Sequence, residues 1–202
     1  MEHVSASWLE WGTASAAHAD EGESGDRHVV VVSPGAAILA VVDGLGHGPE
    51  AALAAETAAA TIEEHAPEDL VELLQHCHEA LRTTRGVVMG IARLRPEPPE
   101  LEWLGVGDVD GVVARGREVQ LTWLVQRSGV VGGQLPVGVS TARVPLQPGD
   151  TLALATDGVR TDFTQLVPDV SPQQLAERIL AECGRRDDDA LILVARYRGE
   201  AT

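Results

Sequence analysis

The sequence contains no lysine and no asparagine, and only two of its 202 residues are cysteine. Without lysine, the chain has no amine side chain for Schiff-base chemistry, no phosphate-loop lysine and no strand lysine of the protein-kinase type. Cys77 and Cys183 are too few for a disulfide scaffold or a cysteine-rich zinc site. These absences exclude lysine-dependent catalysis and cysteine-built folds.

Long apolar runs and an excess of positive charge are also missing. No stretch approaches the roughly 18 apolar residues of a membrane helix, and Met1–Val4 does not begin a basic segment followed by an apolar one, as in a signal peptide. The 31 acidic and 15 basic residues give a net charge of -16, which repels nucleic acid and anionic lipid. We therefore expect a cytoplasmic protein with a single domain over residues 1–202, binding neither nucleic acid nor membrane.

Short apolar runs separated by turn residues predict strands, and two longer segments predict helices over Pro49–His65 and Glu68–Thr83. The second of these has one apolar stripe, which includes Cys77. A third helix is predicted to begin at the capping sequence Ser171–Gln174. Hairpins, a helix pair, more hairpins and a last helix and strand favour an antiparallel α+β fold. The first three predicted strands are Val4–Trp11, Val29–Val32 and Ala36–Val42.

Aspartates recur at the ends of the predicted strands. They are Asp26, Asp43, Asp108, Asp157 and the run Asp187–Asp189. A carboxylate at the end of a buried strand costs free energy unless it is paired, and few arginines lie beside these aspartates in the sequence. A single Asp-Gly pair is also typical of a solvated turn, but the whole set favours a cation as the partner. Carboxylates without a cysteine cluster or a His-x-x-x-His spacing favour Mg²⁺, Mn²⁺ or Ca²⁺, and a pair of such ions is a standard arrangement for attacking a phosphate.

Five segments occur in an order typical of one phosphatase family. They are Ser24–Asp26, Asp43–Gly48, Gln134–Gly138, Pro148–Val159 and Asp188–Ala190. Together they resemble the metal-dependent PPM-type protein serine/threonine phosphatases, and within them the bacterial branch that contains SpoIIE, RsbU and RsbX. The resemblance extends over nearly the whole chain. It is closest to RsbX, because the chain has the length of a phosphatase domain without a sensor domain.

The resemblance implies an α-β-β-α sandwich of two stacked antiparallel sheets flanked by helices. It implies hydrolysis of phosphoserine or phosphothreonine on a signalling protein of the stressosome or partner-switching type. The cofactors it implies are two or three Mn²⁺ or Mg²⁺ ions. Asp43 would bridge two of them, the Gly44 carbonyl and Asp26 would complete one, and Asp157 and Asp188 would complete the other.

Three positions need separate treatment. Asp108 resembles the Gly-Asp motif that helps to hold a third metal in some members. Leu45 stands where many members carry a histidine, so a general acid is missing there, and His47 lies two residues further on. No arginine precedes Arg27, so the phosphate-binding arginine that many eukaryotic members carry on their first strand is absent or comes from elsewhere.

Two other functions stay open. The segment Gly44–Gly48 lies between a predicted strand and a helix, as a nucleotide-binding loop does, although its spacing is G-x-G-x-G rather than G-x-G-x-x-G. The second alternative is a catalytically inactive partner-binding domain of the same fold. The presence of all four core aspartates argues against that alternative.

Overall fold

The computed structural model describes residues 7–18, 23–33, 35–115, 120–165 and 170–199, which form ten strands, three α-helices and one short 3-10 helix. The strands are β1 (Leu9–Ala16), β2 (Asp26–Ser33), β3 (Ala36–Gly44), β4 (Val87–Pro96), β5 (Pro99–Val106), β6 (Asp110–Arg115), β7 (Gln120–Leu124), β8 (Ala142–Pro145), β9 (Thr151–Ala155) and β10 (Ala190–Tyr197). The helices are α1 (Pro49–Glu64), α2 (Leu70–Ala80), the 3-10 helix (Thr161–Gln165) and α3 (Pro172–Cys183).

The strands form two sheets of five, each with antiparallel pairing between neighbouring strands. The first sheet has the order β1-β10-β9-β6-β7, and the second has the order β2-β3-β4-β5-β8. The hairpin of β2 and β3 pairs Asp26 directly with Asp43. The register of one hairpin thus places two of the predicted site residues opposite each other.

The inner faces of the two sheets pack together, and helices cover parts of their outer faces. The core between the sheets includes Leu39, Trp103 and Leu154, all buried. Helices α1 and α2 pack on the second sheet, and α3 packs on the first. This arrangement confirms the predicted α-β-β-α sandwich.

The composition of β3 follows from its central position. Leu39 and Val41 face the other sheet, whereas Ile38, Ala40 and Val42 face the helices. Because both faces of the strand are covered, the sequence is a continuous apolar run rather than an alternation of apolar and polar residues.

The helices also follow their sequence signals closely. The Asp69 side chain accepts a hydrogen bond from the Val71 amide at 2.8 Å at the start of α2. At the start of α3, Ser171 and Gln174 form the predicted capping box. Among the described residues, no helix has the length and apolar character needed to cross a bilayer.

The first strand was predicted in the wrong place. It spans Leu9–Ala16 rather than Val4–Trp11, and residues 4–6 lie outside the described part of the chain. Its polar half is held by pairing with β10 and by Gln173, whose side chain exchanges hydrogen bonds with the backbone of Thr13 at 3.1 and 3.0 Å. Gln173 is 160 positions away from Thr13 in the sequence. A strand half that is held by such a distant contact shows no periodic apolar pattern from which it could be predicted.

Candidate metal-binding active site

The aspartates predicted from the sequence converge at one end of the sandwich, around Asp43. Burial raises the pKa of the Asp43 carboxyl from 3.8 to about 9, and nearby negative charges add to the effect. Four other carboxyls lie close enough to do so: Asp26, Asp157, Asp108 and Asp188. The structure therefore brings together all five aspartates that the sequence analysis assigned to metal binding.

Asp26 links the two sheets at this end. It is buried, and its Oδ2 accepts a hydrogen bond from Thr156 Oγ1 at 2.8 Å. The Leu191 amide in turn donates to Thr156 Oγ1 at 2.9 Å. Burial raises the pKa of Asp26 to about 7; the Thr156 hydrogen bond opposes this shift, and the nearby aspartates reinforce it. Thr156 thus fixes the end of the second sheet against the end of the first.

The glycines of the two Asp-Gly motifs allow close approach of the backbone. A Cβ atom on Gly44 would lie 2.1 Å from the carbonyl oxygen of Ala51 in α1. A Cβ atom on Gly158 would lie 1.8 Å from the carbonyl oxygen of Asp189. Both contacts are too short for any side chain, so glycine lets Asp43 and Asp157 sit against neighbouring elements.

The three consecutive aspartates before β10 differ in their surroundings. Asp189 is buried, and its two carboxylate oxygens accept hydrogen bonds from the His18 amide at 2.8 Å and the Gly25 amide at 2.6 Å. Asp188 is half-buried, and its Oδ1 accepts one from the Asp189 amide at 2.9 Å. Asp187 is exposed. The sequence analysis missed the role of Asp189, which holds the segments before β2 and β10 together.

A cleft opens beside Asp157 and contains two arginines. Asp157 is exposed, but partial desolvation of its carboxyl raises its pKa, as do Asp188 and Asp108, whereas Arg185 opposes the shift. The cleft is lined by Asp108, Asp110, Asp157, Val159, Arg160, Thr161, Asp162 and Arg185. Sequence analysis also missed these arginines, and the only available signal was the pair Arg185-Arg186 directly before the acidic run.

The segment after Asp43 does not resemble a nucleotide-binding loop in its context. Two helices follow it, and the next strand, β4, is antiparallel to β3, whereas a nucleotide-binding βαβ unit requires a parallel strand. Leu45 is half-buried and packs against the core between the sheets, and its side chain has no proton to donate. His47 is exposed in the loop that precedes α1.

The environment of Asp43 fits a hard divalent cation. Within the described ranges, no backbone or side-chain donor lies within hydrogen-bond distance of its carboxylate. A half-buried carboxylate without a donor, beside four others, has a large unfavourable electrostatic energy unless a proton or a cation neutralises it. Oxygen-only ligands of this kind suit Mg²⁺ or Mn²⁺.

A second cluster, formed by His65, Glu68 and His76, does not have the geometry of a metal site. Glu68 accepts hydrogen bonds from His65 Nδ1 at 2.8 Å and His76 Nε2 at 2.9 Å. The two imidazole rings stack with centroids 3.9 Å apart and planes 7° apart. Because a metal ion lies close to the plane of each imidazole that binds it, two parallel stacked rings cannot share one ion. The cluster is a hydrogen-bonded link between the end of α1 and α2.

Comparison with known proteins agrees with this geometry. The chain matches the family described as Stage II sporulation protein E (SpoIIE) over residues 33–198. It is 28% identical over 155 residues to the phosphoserine phosphatase RsbX of Bacillus subtilis (strain 168), covering 74% of this chain and 72% of RsbX.

Two solved structures extend the comparison to the fold. A chain from a structural study of the bacterial stressosome, as a modular system adapted to control secondary messenger signalling, has a TM-score of 0.86 and 32% identity. The alignment covers 93% of this chain and 99% of that one. RsbX in complex with magnesium also has a TM-score of 0.86, at 19% identity, covering 96% of this chain and 97% of RsbX.

Two antiparallel sheets with helices outside and acidic strand ends at one edge define a PPM-type phosphatase fold. The chain belongs to the SpoIIE family within that class. The resemblance and the fold predicted from the sequence are thereby confirmed.

Proposed function

We propose that this chain is a Mn²⁺- or Mg²⁺-dependent phosphoprotein phosphatase acting on phosphoserine or phosphothreonine of a bacterial signalling protein in the cytoplasm. The observation that carries the proposal is the carboxylate of Asp43, which has four carboxyl neighbours and no donor in the described part of the chain. The similarity to a phosphoserine phosphatase and to a stressosome chain supports the substrate class and a stressosome or partner-switching protein as partner.

The proposed ligands are the residues at the converging strand ends. Asp43 lies at the centre and would help to hold two ions; the Gly44 carbonyl and Asp26 would help to hold one of them, and Asp157 and Asp188 the other. Two ions held there would activate a water as the nucleophile and offset the charge of the phosphoryl group. Asp108, which lines the cleft together with Asp157, would contribute to a third ion.

The protein itself would orient these ligands rather than react covalently. Thr156 holds Asp26 by its hydrogen bond, and Asp189 holds the segment that carries Gly25 and Asp26. Leu45 has no proton to give, so the leaving serine or threonine oxygen would take its proton from water. No phosphorylated enzyme would form in such a reaction, because the nucleophile would be water rather than a side chain of the protein.

The proposal is tested by phosphate release from a generic phosphoester and from a phosphoserine protein, measured with Mn²⁺, with Mg²⁺ and with chelator. We expect activity only with the divalent ions, restored when Mn²⁺ is added back after chelation. Activity that survives complete chelation would contradict the metal-dependent mechanism. Mn²⁺ binding without any phosphate release would instead identify a catalytically inactive domain of the same fold.

A further inference from the structure

The cleft beside Asp157 contains two arginines whose side chains differ in what they contact. In Arg160, Nε and Nη2 both lie 3.3 Å from the Asp162 carboxylate, and Nη2 also donates to the Glu182 carbonyl at 2.8 Å. Its donors therefore hold the cleft wall together. Arg185 is exposed, and no carboxylate or carbonyl of the described residues lies within hydrogen-bond or ion-pair distance of its guanidinium.

The backbone fixes Arg185 next to the proposed metal ligands. The Arg185 amide donates to the Gly158 carbonyl at 2.7 Å, and the Arg160 amide donates to the Cys183 carbonyl at 3.0 Å. Val159 and Gly184 pair between these two bonds as an isolated antiparallel bridge. The base of the Arg185 side chain is thus tied to the residue after Asp157.

Other arginines near the site either form ion pairs or line a different cavity. Arg27, which directly follows Asp26, forms an ion pair with Glu56 at 2.9 Å and donates to two backbone carbonyls. Arg85 forms an ion pair with Glu50 at 2.5 Å. Arg127 lines a different cavity, next to residues 134–137. Arg185 is therefore the arginine of this cleft whose donors are available to a ligand.

We propose that Arg185 binds the phosphate of the substrate, its guanidinium donating two parallel hydrogen bonds to non-bridging phosphate oxygens. This inference rests on the proposed function and names the residue that replaces the missing arginine of the first strand. Because the protein has a net charge of -16, binding a dianionic phosphate requires a positive group at the site. A planar guanidinium can donate to two phosphate oxygens at once, whereas an ammonium would act only as a point charge. Contact with oxygens that gain charge in the transition state also lowers the barrier.

The test compares Arg185→Ala and Arg185→Lys with Arg186→Ala, a matched control on the adjacent exposed arginine, which does not line the cleft. With saturating Mn²⁺ and a phosphoserine protein, we expect kcat/KM to fall about 10- to 100-fold for Arg185→Ala. Arg185→Lys should recover part of the loss, since charge remains but the planar fork does not. Arg186→Ala should stay within about twofold of the unmodified protein, the range expected of an exposed site.

Two binding measurements separate phosphate contact from a structural role. Calorimetric titration of the Mn²⁺-loaded protein with inorganic phosphate should show about tenfold weaker binding for Arg185→Ala and no change for Arg186→Ala. Mn²⁺ titration should show equal or tighter metal binding for Arg185→Ala, because a positive charge near Asp157 is removed. Weaker Mn²⁺ binding by this variant would assign Arg185 to the metal site and overturn the inference.

Equal phosphate affinity in Arg185→Ala and Arg186→Ala would also overturn the inference, whether or not the protein is an active phosphatase. If the unmodified protein releases no phosphate but binds it through Arg185, the proposed function fails while this inference stands. Thermal melting shows whether the Arg185→Ala variant is misfolded. If it is, the same phosphate titration of Arg185→Lys tests the inference instead.

Discussion

A carboxylate lies near each end of strand β9, and the two carboxylates have opposite electrostatic surroundings. Asp150, just before the strand, is 3% exposed and accepts hydrogen bonds from Arg115 Nε at 3.1 Å, Arg115 Nη2 at 2.7 Å and the Gln147 amide at 2.9 Å. Beyond the other end, Asp157 faces Asp188 and Asp108. Asp26, which lies at that same end, is 4% exposed and accepts one side-chain hydrogen bond, from Thr156.

The difference shows that burial alone does not distinguish a structural carboxylate from a functional one. The Asp150 hydrogen bond raises the pKa of Arg115, as expected of a charge pair satisfied within the chain. Around Asp43, burial and then four neighbouring carboxyls raise the pKa to about 9. The first end is complete without a ligand, whereas the second needs bound protons or cations to offset its charge.

The largest expected effect comes from removing the central carboxylate. Asp43→Asn keeps the shape of the side chain but removes the charge that two ions would share. We expect Mn²⁺-dependent phosphate release to fall by at least about 1000-fold, because the activated water depends on both ions. Initial rates over a Mn²⁺ titration measure this. The matched control is Asp150→Asn, which should keep its activity wherever it is folded; a loss of less than tenfold in Asp43→Asn would contradict the proposed role in holding two ions.

The next effect is on stability, at the other end of β9. Arg115→Ala leaves Asp150 buried without its cation. Since Arg115 is itself one-third exposed, we expect a loss of about 2 kcal/mol, below the range for a fully buried pair. That corresponds to a fall in Tm of about 4–8 °C for a chain of this size.

Thermal melting in chelator measures the loss, with Asp43→Asn as the comparison. Asp43→Asn should raise the Tm of the metal-free protein, because it removes the cost of burying an unpaired carboxyl instead of breaking a pair. A fall in Tm of similar size for both variants would show that the two ends of the strand do not differ as argued.

A pH dependence follows from the raised pKa values. In the folded, metal-free protein, the pKa of Asp26 is about 7 and that of Asp43 about 9, whereas the ordinary pKa of an aspartate is 3.8. The folded state therefore binds more protons than the unfolded state above about pH 4, and stability falls as pH rises through this range. We expect the free energy of unfolding in chelator, and with it the Tm, to decrease from pH 5 to 9; the free energy should fall by at most about 1.4 kcal/mol per pH unit for each carboxyl.

Saturating Mn²⁺ should reverse this pH dependence, since metal binding favours the ionised carboxylates. Asp43→Asn should make the slope in chelator shallower, because a carboxyl with a strongly raised pKa is removed. A metal-free Tm that rises with pH over this range would contradict the assignment of unpaired charge to the Asp43 end.

The sequence was sufficient to predict the features that depend on neighbouring residues. The apolar run of β3 ends in Asp43-Gly44, the cap of α3 is formed by Ser171 and Gln174, and both were predicted where they occur. Such signals are local, because a strand end or a helix cap depends on residues a few positions apart in the sequence. The ordered Asp-Gly motifs then implied which strand ends meet.

Contacts between distant segments could not be predicted in this way. Asp189 is bound by the amides of His18 and Gly25, which are more than 160 positions away in sequence. Arg185 faces Asp157 only because a bridge pairs Val159 with Gly184. Asp188 and Asp189 are adjacent and identical in the sequence. Only the folded chain shows that the carboxylate of Asp189 is the one that accepts hydrogen bonds from distant backbone amides.

The smallest expected effect is that of thiol modification. The two buried cysteine thiols can be compared with the paired carboxylate of Asp150 and the unpaired carboxylate of Asp43. Burial raises the pKa of the Cys77 thiol to about 12, and the side chain is fully enclosed between α2 and the second sheet. Burial also raises the pKa of Cys183, and the adjacent Asp162 adds to the shift. Neither thiol is poised to form the thiolate that a covalent phosphatase mechanism requires.

We therefore expect treatment with iodoacetamide at neutral pH to leave the Mn²⁺-dependent rate unchanged, and we expect no phosphorylated enzyme to be trapped by acid quenching. Cys183→Ala is the informative variant, because Cys183 lies near Asp162 at the wall of the cleft, and it should also keep its kcat. Mass spectrometry of the treated protein distinguishes an unmodified thiol from a modified but unimportant one. Inactivation that accompanies alkylation while the thermal melt is unchanged would show that a thiol acts in the reaction, and water activated at the aspartate cluster would then not be the sole nucleophile.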